Sequence, residues 1–583
     1  MYTNLKNVQV IISLLKQHEI RHFVLSPGTR NTPLVHSIEN DDFFNCYSIV
    51  DERSAAYFAL GLSEKLGLPV GFSCTSSTAT CNYLPAIEEA AEKKVPLLAL
   101  TADRDNRYTF QMEDQSIRQD NLYEGLVSDS TNIPVIKDDN DLWFTTQSVN
   151  RVLINLIENS RPCHINFQVD DVGNFNCEEI PVARKITKIN SASLAGAEIN
   201  FEQKLKNKKI LVICGQRHDF NNELFLLIKK FNEKFDSILS YDHFSNIGNV
   251  KSETFLKTVL VTESISVNEF EKFTPDIVIT IGGHFWSFIK YKLRWSENKF
   301  EHWIVSEDAR VEDGFKRLTY IFNTKAEKFF EACISNGFYS EDKKYQNQWI
   351  KRLQEVEYPN FTFSNFSVIK HIVEKIPAQS ILHTSILNST RLACFCELNE
   401  NVLSYSNIGA DGIDGTLSTY LAQGNKANDK LSFLVIGDLS FIYDVNSITN
   451  NLNKKNRILV INNYVGSEFY TNFGKEKIET IDKHIAAKHS TNIEQLKNIS
   501  DVYYISASND QELKDRSKVF LDAETDKPVI LEVFTDPDVD AKVLKEFYRL
   551  NYKLDSKAKV IRFIAVLLDK LGIKEKIKIW LKR

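Results

Sequence analysis

Short apolar runs that stop abruptly at Gly, Ser, Thr or Asp recur along the whole chain. His22-Phe23-Val24-Leu25 runs into Ser26-Pro27-Gly28-Thr29-Arg30. Val70-Gly71-Phe72-Ser73-Cys74 leads to Thr75-Ser76-Ser77, and Val95-Pro96-Leu97-Leu98-Ala99-Leu100 leads to Thr101-Ala102-Asp103-Arg104. Ile210 to Gly215, Asp276 to Gly283, Leu431 to Ile436 and Arg457 to Ile461 repeat the pattern. Such runs read as strands buried on both faces. Between them apolar residues fall at helical spacing, as at Val8, Ile11, Ile12 and Leu15. Strands of this kind alternating with helices predict an α/β chain whose parallel sheets are covered on both sides. In those sheets ligands bind outside the carboxyl ends of the strands, where the turns just quoted fall.

At 583 residues the chain is too long for a single core. Three successive α/β units and a basic helical tail account for it, with boundaries at 1–184, 185–357, 358–545 and 546–583. A helical, charged connection from about Ala326 to Glu357 leads out of the second unit. With 21 Gly and 13 Pro, long flexible linkers are not expected. The net charge of −6 argues against nucleic acid as the main ligand. Nine cysteines are scattered, mostly in apolar contexts, and read as reduced core residues. Met1 to Gln17 is amphipathic and lacks a cleavage site, and no apolar run approaches the ~20 residues that span a bilayer. A cytoplasmic protein is expected. From Ala541 to Arg583 there are 13 Lys/Arg against 4 Asp/Glu. There Val560, Phe563, Ile564, Leu567, Leu568 and Leu571 share a helical face. Two readings of this tail stand: a helix packed on the body or a subunit contact, and a weak peripheral contact with an anionic membrane surface.

Two elements carry chemistry. Gly437-Asp438-Leu439-Ser440 ends one strand, and Asn462-Asn463 ends the next. A hard divalent cation takes oxygen ligands and bridges to phosphate. Asp438, the side-chain oxygen of Asn463 and a backbone carbonyl at Val465 would supply part of its shell. The plain alternative is a turn closed by Asx hydrogen bonds. Far upstream, Glu52 opens an apolar helix (Ile49, Val50, Ala55, Ala56, Phe58), where burying it unpaired is costly. An ion pair with Arg53 or a helix N-terminal position would accommodate it. So would a ligand nitrogen that shares its proton.

Together with further motifs, these elements resemble a family. The motifs are Ser26 to Leu34 (SPGTRNTPL), Asp51 to Gly61 (DERSAAYFALG), Cys74 to Ala79 (CTSSTA), Leu100 to Arg104 (LTADR), Gln115 to Gln119 (QSIRQ) and Gly409 to Thr419 (GADGIDGTLST). To about residue 540 the chain resembles thiamine-diphosphate-dependent 2-oxo acid decarboxylases and carboligases. Within them it is most similar to the synthase family of menaquinone biosynthesis that makes 2-succinyl-5-enolpyruvyl-6-hydroxy-3-cyclohexene-1-carboxylate. The resemblance implies a pyrimidine-binding first domain, a central second domain and a third domain that binds the diphosphate with Mg²⁺ or Mn²⁺. It implies Glu52 as the acid facing the aminopyrimidine. Ser76, Ser77, Gly412, Ile413, Gly437, Asp438, Leu439, Ser440, Asn463 and Gly466 would contact the cofactor. Asp438, Asn463 and Val465 would hold the metal, and Thr29, Arg30, Arg104, Gln115 and Lys290 the substrates. Active sites shared between subunits imply a homodimer or homotetramer. The implied reaction joins 2-oxoglutarate, as its succinyl semialdehyde equivalent, to isochorismate with loss of CO₂.

The chain also departs from the family. Ile408 stands where the family has Arg, and Gln423-Gly424-Asn425-Lys426 stands where a second Arg is expected. Ser76-Ser77-Thr78 replaces Ser-Gly-Thr, and Thr280-Ile281-Gly282-Gly283 replaces an Arg-Phe-Gly type element, though Ser287 and Lys290 match the family's Ser-Lys. Each lost charge-assisted contact costs about 1.5–3 kcal/mol, and two would weaken transition-state binding by several hundredfold or more. A paralogue acting on another 2-oxo acid or acceptor, in surface-polysaccharide or secondary metabolism, is therefore an alternative. A non-catalytic scaffold of the same fold is another.

Overall fold

The computed structural model describes residues 1–553 except 196–198, 336–338, 341, 426–429, 475–476 and 499. The amphipathic stripe expected over Val560–Leu571 and the position of Lys426 lie outside the described residues.

Three sheets contain all the named strands among the described residues. The first holds β1 (His22–Leu25), β2 (Asn45–Ser48), β3 (Val70–Cys74), β4 (Leu97–Asp103), β5 (Asp129–Ile133) and β6 (Cys163–Gln168), in the order β2-β1-β3-β4-β6-β5. The second holds β7 (Thr187–Asn190), β8 (Ile210–Cys214), β9 (Ser237–Tyr241), β10 (Phe255–Leu256), β11 (Ile277–Ile281), β12 (Glu301–Val305) and β13 (Leu318–Asn323), in the order β10-β9-β8-β11-β12-β13-β7. The third holds β14 (Ile381–Thr384), β15 (Leu403–Ser406), β16 (Ser432–Gly437), β17 (Asn456–Asn462), β18 (Tyr503–Ala507) and β19 (Val529–Phe534), in the order β15-β14-β16-β17-β19-β18. The pairings within the first and third sheets are parallel. Numbered from its own first strand, each of these two sheets runs 2-1-3-4-6-5. The architecture repeats although the sequence does not. Apart from β7, the second sheet runs 3-2-1-4-5-6, the order of doubly wound nucleotide-binding folds.

Alternate side chains explain why the strands read as unbroken apolar runs. On β4, Leu98, Leu100 and Ala102 join one core with Ile11, Leu15 and Val152, while Leu97 and Ala99 join another with Ala55, Ala59 and Ile87. On β17, Leu459 and Ile461 face one core, and Ile458 and Val460 the opposite one. Side chains alternate across a strand, so burial on both faces demands an apolar residue at every position.

The chain divides into two compact units. One is Met1–Ile189 with Arg310–Ile321, and the other is Asn190–Ala309 with the chain from Phe322 onward. Details differ from the sequence reading. Thr101-Ala102-Asp103 is not a turn but the end of β4, because parallel pairing with β6 continues to Asp103 opposite Gln168. The connection from Ala326 to Glu357 is helical as expected, with helices Ala326–Ile334 and Lys344–Gln354. All nine cysteines are free, yet Cys46 and Cys81 are exposed rather than in the core. No helix among the described residues is long and apolar enough to cross a membrane.

Candidate active site

β16 and β17 are adjacent and parallel, with Gly437 opposite Ile461, so both signature elements emerge at the same sheet edge. Gly437 precedes the helix Asp438–Tyr443, and a Cβ added to it would meet nothing within 4 Å. The space above this glycine is therefore open. Asp438 is buried, and its carboxylate organises the turn opposite. Its Oδ2 accepts from the backbone N–H of Asn463 (3.1 Å) and of Tyr464 (2.8 Å), and its Oδ1 from Leu439 N–H (2.7 Å). Tyr464, at φ +61, turns the chain sharply enough to present both amides. His489 Nε2 lies 3.3 Å from Asp438 Oδ2, without hydrogen-bond geometry. A carboxylate has about four acceptor sites, so Asp438 retains capacity for a further partner.

The two asparagines divide their work. Asn462 turns inward, its Nδ2 donating to Glu532 Oε1 (2.6 Å) and to the Thr491 carbonyl (3.0 Å). Asn463 lines the pocket, and its Nδ2 donates to Asp540 Oδ2 (3.0 Å). That bond fixes the amide with Oδ1 as its remaining oxygen. Asp540 is buried and also accepts from Asn365 N–H (2.7 Å) and Thr535 Oγ1 (2.8 Å). Burial nevertheless pushes its pKa up to about 6, with those bonds pulling the other way.

One pocket is lined by Ile413, Gly437, Asp438, Leu439, Ser440, Asn463, Val465 and Gly466 among others. Ser440 Oγ donates to the Ile413 carbonyl (2.6 Å) and accepts from Ser385 Oγ (3.1 Å). These bonds tie the segment containing Gly412 and Ile413 to the helix that begins at Asp438. The donor set is a carboxylate, an amide oxygen and a neighbouring carbonyl, all hard oxygens that suit Mg²⁺ or Mn²⁺. Among the described residues no group of three or more His, Cys, Asp or Glu offers another metal site.

The remaining expected residues, apart from Lys290, lie in the other unit. Glu52 opens the helix Glu52–Leu66, whose N-cap is Asp51, with Asp51 Oδ1 accepting from Ser54 N–H (2.7 Å). Glu52 is half-buried and makes no ion pair with Arg53 among the described residues. Val50 nearby is 74% exposed, and Tyr57 and Phe58 on the same helix are 43% exposed. Gly28 is needed locally, since a Cβ there would fall 2.3 Å from Thr75 Cβ. Thr29 is exposed beside it.

Arg30 donates through NH1 to the Val169 carbonyl (3.3 Å), while its Nε is buried without a partner. Burial, and then the like charge of Arg104, lower its pKa. Two neighbouring guanidinium groups with an unfilled donor are what an anion site requires. Arg104 does not pair with Asp105, which binds Arg107. It instead meets Glu113 (3.2 Å) and the Asp114 carbonyl (3.0 Å). Ser76 Oγ donates to the Gln115 carbonyl (3.1 Å), and Gln115 Nε2 to the Ser76 carbonyl (3.4 Å), so these two expected residues are neighbours. Ser77 sits at φ +75, ψ −133, and its N–H donates to Gln119 Oε1 (2.7 Å).

Several residues escaped the sequence reading. Asp540, which bonds Asn463, His489, which lies beside Asp438, and the cluster of Arg391, Glu468 and Glu263 come from distant segments. Asn388-Ser389-Thr390-Arg391, opening a helix after β14, was a readable signal for Arg391. Ile408 is buried in the apolar core with Val435 and Leu459, so it leaves no room for a cation. Lys290, on the helix Ile289–Arg294, lies near Asp411 and helps offset the rise that burial causes in that carboxyl.

A family profile described as "Thiamine pyrophosphate enzyme, N-terminal TPP binding domain" matches residues 5–122. Relatives named 2-succinyl-5-enolpyruvyl-6-hydroxy-3-cyclohexene-1-carboxylate synthase align over 94% of this chain and 99% of their own length. They include those of Bacteroides fragilis at 33% identity, Phocaeicola vulgatus at 32% and Flavobacterium psychrophilum at 29%.

Proposed function

Since this chain belongs to the 2-succinyl-5-enolpyruvyl-6-hydroxy-3-cyclohexene-1-carboxylate synthase family, we propose that it joins 2-oxoglutarate to isochorismate with loss of CO₂. Thiamine diphosphate, when bound, supplies the acidic carbon and the electron sink for that decarboxylation. The observation that carries the reading is the pair of oxygen donors, Asp438 and Asn463, aimed into one pocket from neighbouring strand ends.

In this reading Asp438, Asn463 Oδ1 and the Val465 carbonyl would hold Mg²⁺ or Mn²⁺. Asp540 keeps the Asn463 amide the right way round, and Asp438 fixes the turn at Asn463 and Tyr464. Glu52 would face the aminopyrimidine and share a proton with it. Arg30 and Arg104 would take substrate carboxylates, with Thr29, Gln115 and Lys290 as further substrate contacts. We assign the pyrimidine-binding, central and diphosphate-binding domains to 1–184, 185–357 and 358–545. The exposed Val50, Tyr57 and Phe58 beside Glu52 favour a homodimer or homotetramer in which a second copy covers that face. A cytoplasmic location accords with the reduced cysteines.

CO₂ release by the purified protein, with thiamine diphosphate, Mg²⁺ and a series of 2-oxo acids, tests the reading. Turnover of 2-oxoglutarate that rises with isochorismate supports it. Indifference to isochorismate favours a paralogue with another acceptor, a reading to which the burial of Ile408 lends weight.

A further inference from the structure

Glu468, in the wall of the Asp438–Asn463 pocket, belongs to a charge cluster that the proposed function leaves unused. Arg391, on the helix Asn388–Cys394, is 5% exposed. Its NH1 donates to Glu468 Oε2 at 2.7 Å and its NH2 to Glu468 Oε1 at 3.0 Å, a two-pronged pair. NH1 also donates to Asn388 Oδ1 at 2.7 Å. Glu263 Oε2 stands 3.9 Å from the guanidinium Nε, which has no hydrogen-bond partner. Burial works against the charge on Arg391, but the Glu468 bonds and the surrounding negative groups outweigh it and raise its pKa. Burial pushes the Glu263 carboxyl up to about 7. Asp411, Lys290 and Lys292 also lie near this cluster, and the Tyr548 hydroxyl bonds Glu263.

The three members are not equally free to move. Side-chain exposure is 1% for Glu263, 6% for Arg391 and 15% for Glu468. Glu468 lines the pocket from the first turn of the helix Ser467–Asn472, in company with Asn388 and Ser389. Glu468 is the most exposed of the three and the one that lines the pocket. Its carboxylate occupies the same fork of N–H donors that a substrate carboxylate would use.

We propose that Glu468 is a resident carboxylate that holds the Arg391 fork until the distal carboxylate of a dicarboxylic substrate replaces it, making Glu468 a specificity-determining residue. The proposal rests on the reading that this pocket receives 2-oxoglutarate. An exchange of one carboxylate for another conserves the ion pair, so wild-type protein gains little from the contact itself. A substrate without a second carboxylate leaves Glu468 in place.

The test is calorimetric titration of the full chain, loaded with thiamine diphosphate and Mg²⁺. Glutarate and butyrate serve as probes that carry no 2-oxo group to react. In Glu468→Gln, glutarate binds tighter by about tenfold or more, as when a neutral competitor replaces a charged one, and butyrate is unchanged. In an Arg391→Met background the Glu468→Gln effect on glutarate disappears. Equal shifts for both acids, no shift for glutarate, or an effect that survives loss of Arg391 overturns the proposal. Should Glu468→Gln fail to fold, Glu468→Asp, too short to keep both prongs, carries the same expectation at smaller size. Binding is read without turnover. Absence of CO₂ release from 2-oxoglutarate would thus strike the proposed reaction while leaving the carboxylate exchange to stand or fall on its own.

Discussion

Replacing Asp540 with Asn isolates the least obvious part of the metal site. Asp540 touches no proposed ligand of the cofactor except Asn463, yet it determines which way that amide points. Its two carboxylate oxygens accept three bonds, from Asn365 N–H, Asn463 Nδ2 and Thr535 Oγ1. In Asp540→Asn one oxygen becomes an NH₂ donor. If that NH₂ faces Asn463, the Asn463 amide flips and offers hydrogens, not an oxygen, to the metal. If it faces Asn365, a buried donor meets a donor. Leaving a buried polar group unsatisfied costs about 1–3 kcal/mol, which is about 5- to 150-fold in an equilibrium constant. The assay is the Mg²⁺ concentration for half-maximal CO₂ release at saturating thiamine diphosphate. It should rise at least fivefold, with the rate at saturating Mg²⁺ preserved within a few-fold. Thr535→Val removes a different bond to the same carboxylate and should leave Mg²⁺ dependence nearly unchanged. An unchanged Mg²⁺ requirement in Asp540→Asn, or an equal rise in Thr535→Val, would refute the orienting role.

Glu52→Gln keeps the size of the side chain but has no carboxyl proton to share, so CO₂ release should fall by about 100-fold or more while cofactor affinity changes little. Retained activity would remove Glu52 from the mechanism. Ser77→Gly should stabilise the protein by about 1 kcal/mol in denaturant unfolding, since a non-glycine residue at φ +75, ψ −133 is strained and the glycine entropy cost is smaller. A loss of stability would mean that the Ser77 side chain contributes more than its backbone strain costs. Burial raises Asp242 and Glu263 to about 7, and Asp103 and Asp540 to about 6. The folded state then holds these protons more tightly than the unfolded chain, so their contribution to stability falls as pH rises from about 4 through 7. Burial also lowers His18 and His383 to about 4 and His164 and His243 to about 3, which adds stability as pH rises to about 6.5 and opposes the carboxylates. The test is therefore a difference: Asp242→Asn should lose less stability than wild type between pH 5 and 8, and an equal pH dependence would contradict the burial argument.

The strands were legible in the sequence because their cause is local. A run such as Leu431 to Ile436 is apolar at every position only if both faces are covered, and β16 occupies Ser432–Gly437. Gly437-Asp438 and Asn462-Asn463 were likewise visible, because adjacent parallel strands end together. The two asparagines were not distinguishable in that way. Only the fold brings Glu532 to Asn462 and Asp540 to Asn463, across 70 and 77 residues of chain, and so gives one a structural task and leaves the other an oxygen for a ligand. The replacement of a family Arg by Ile408 read as a lost substrate contact, whereas the structure packs that position into the core and places a buried cation at Arg391, already bound to Glu468. Periodicity and motif order report what neighbours along the chain must do. Which charge meets which is decided by side chains that only tertiary packing brings within hydrogen-bond distance.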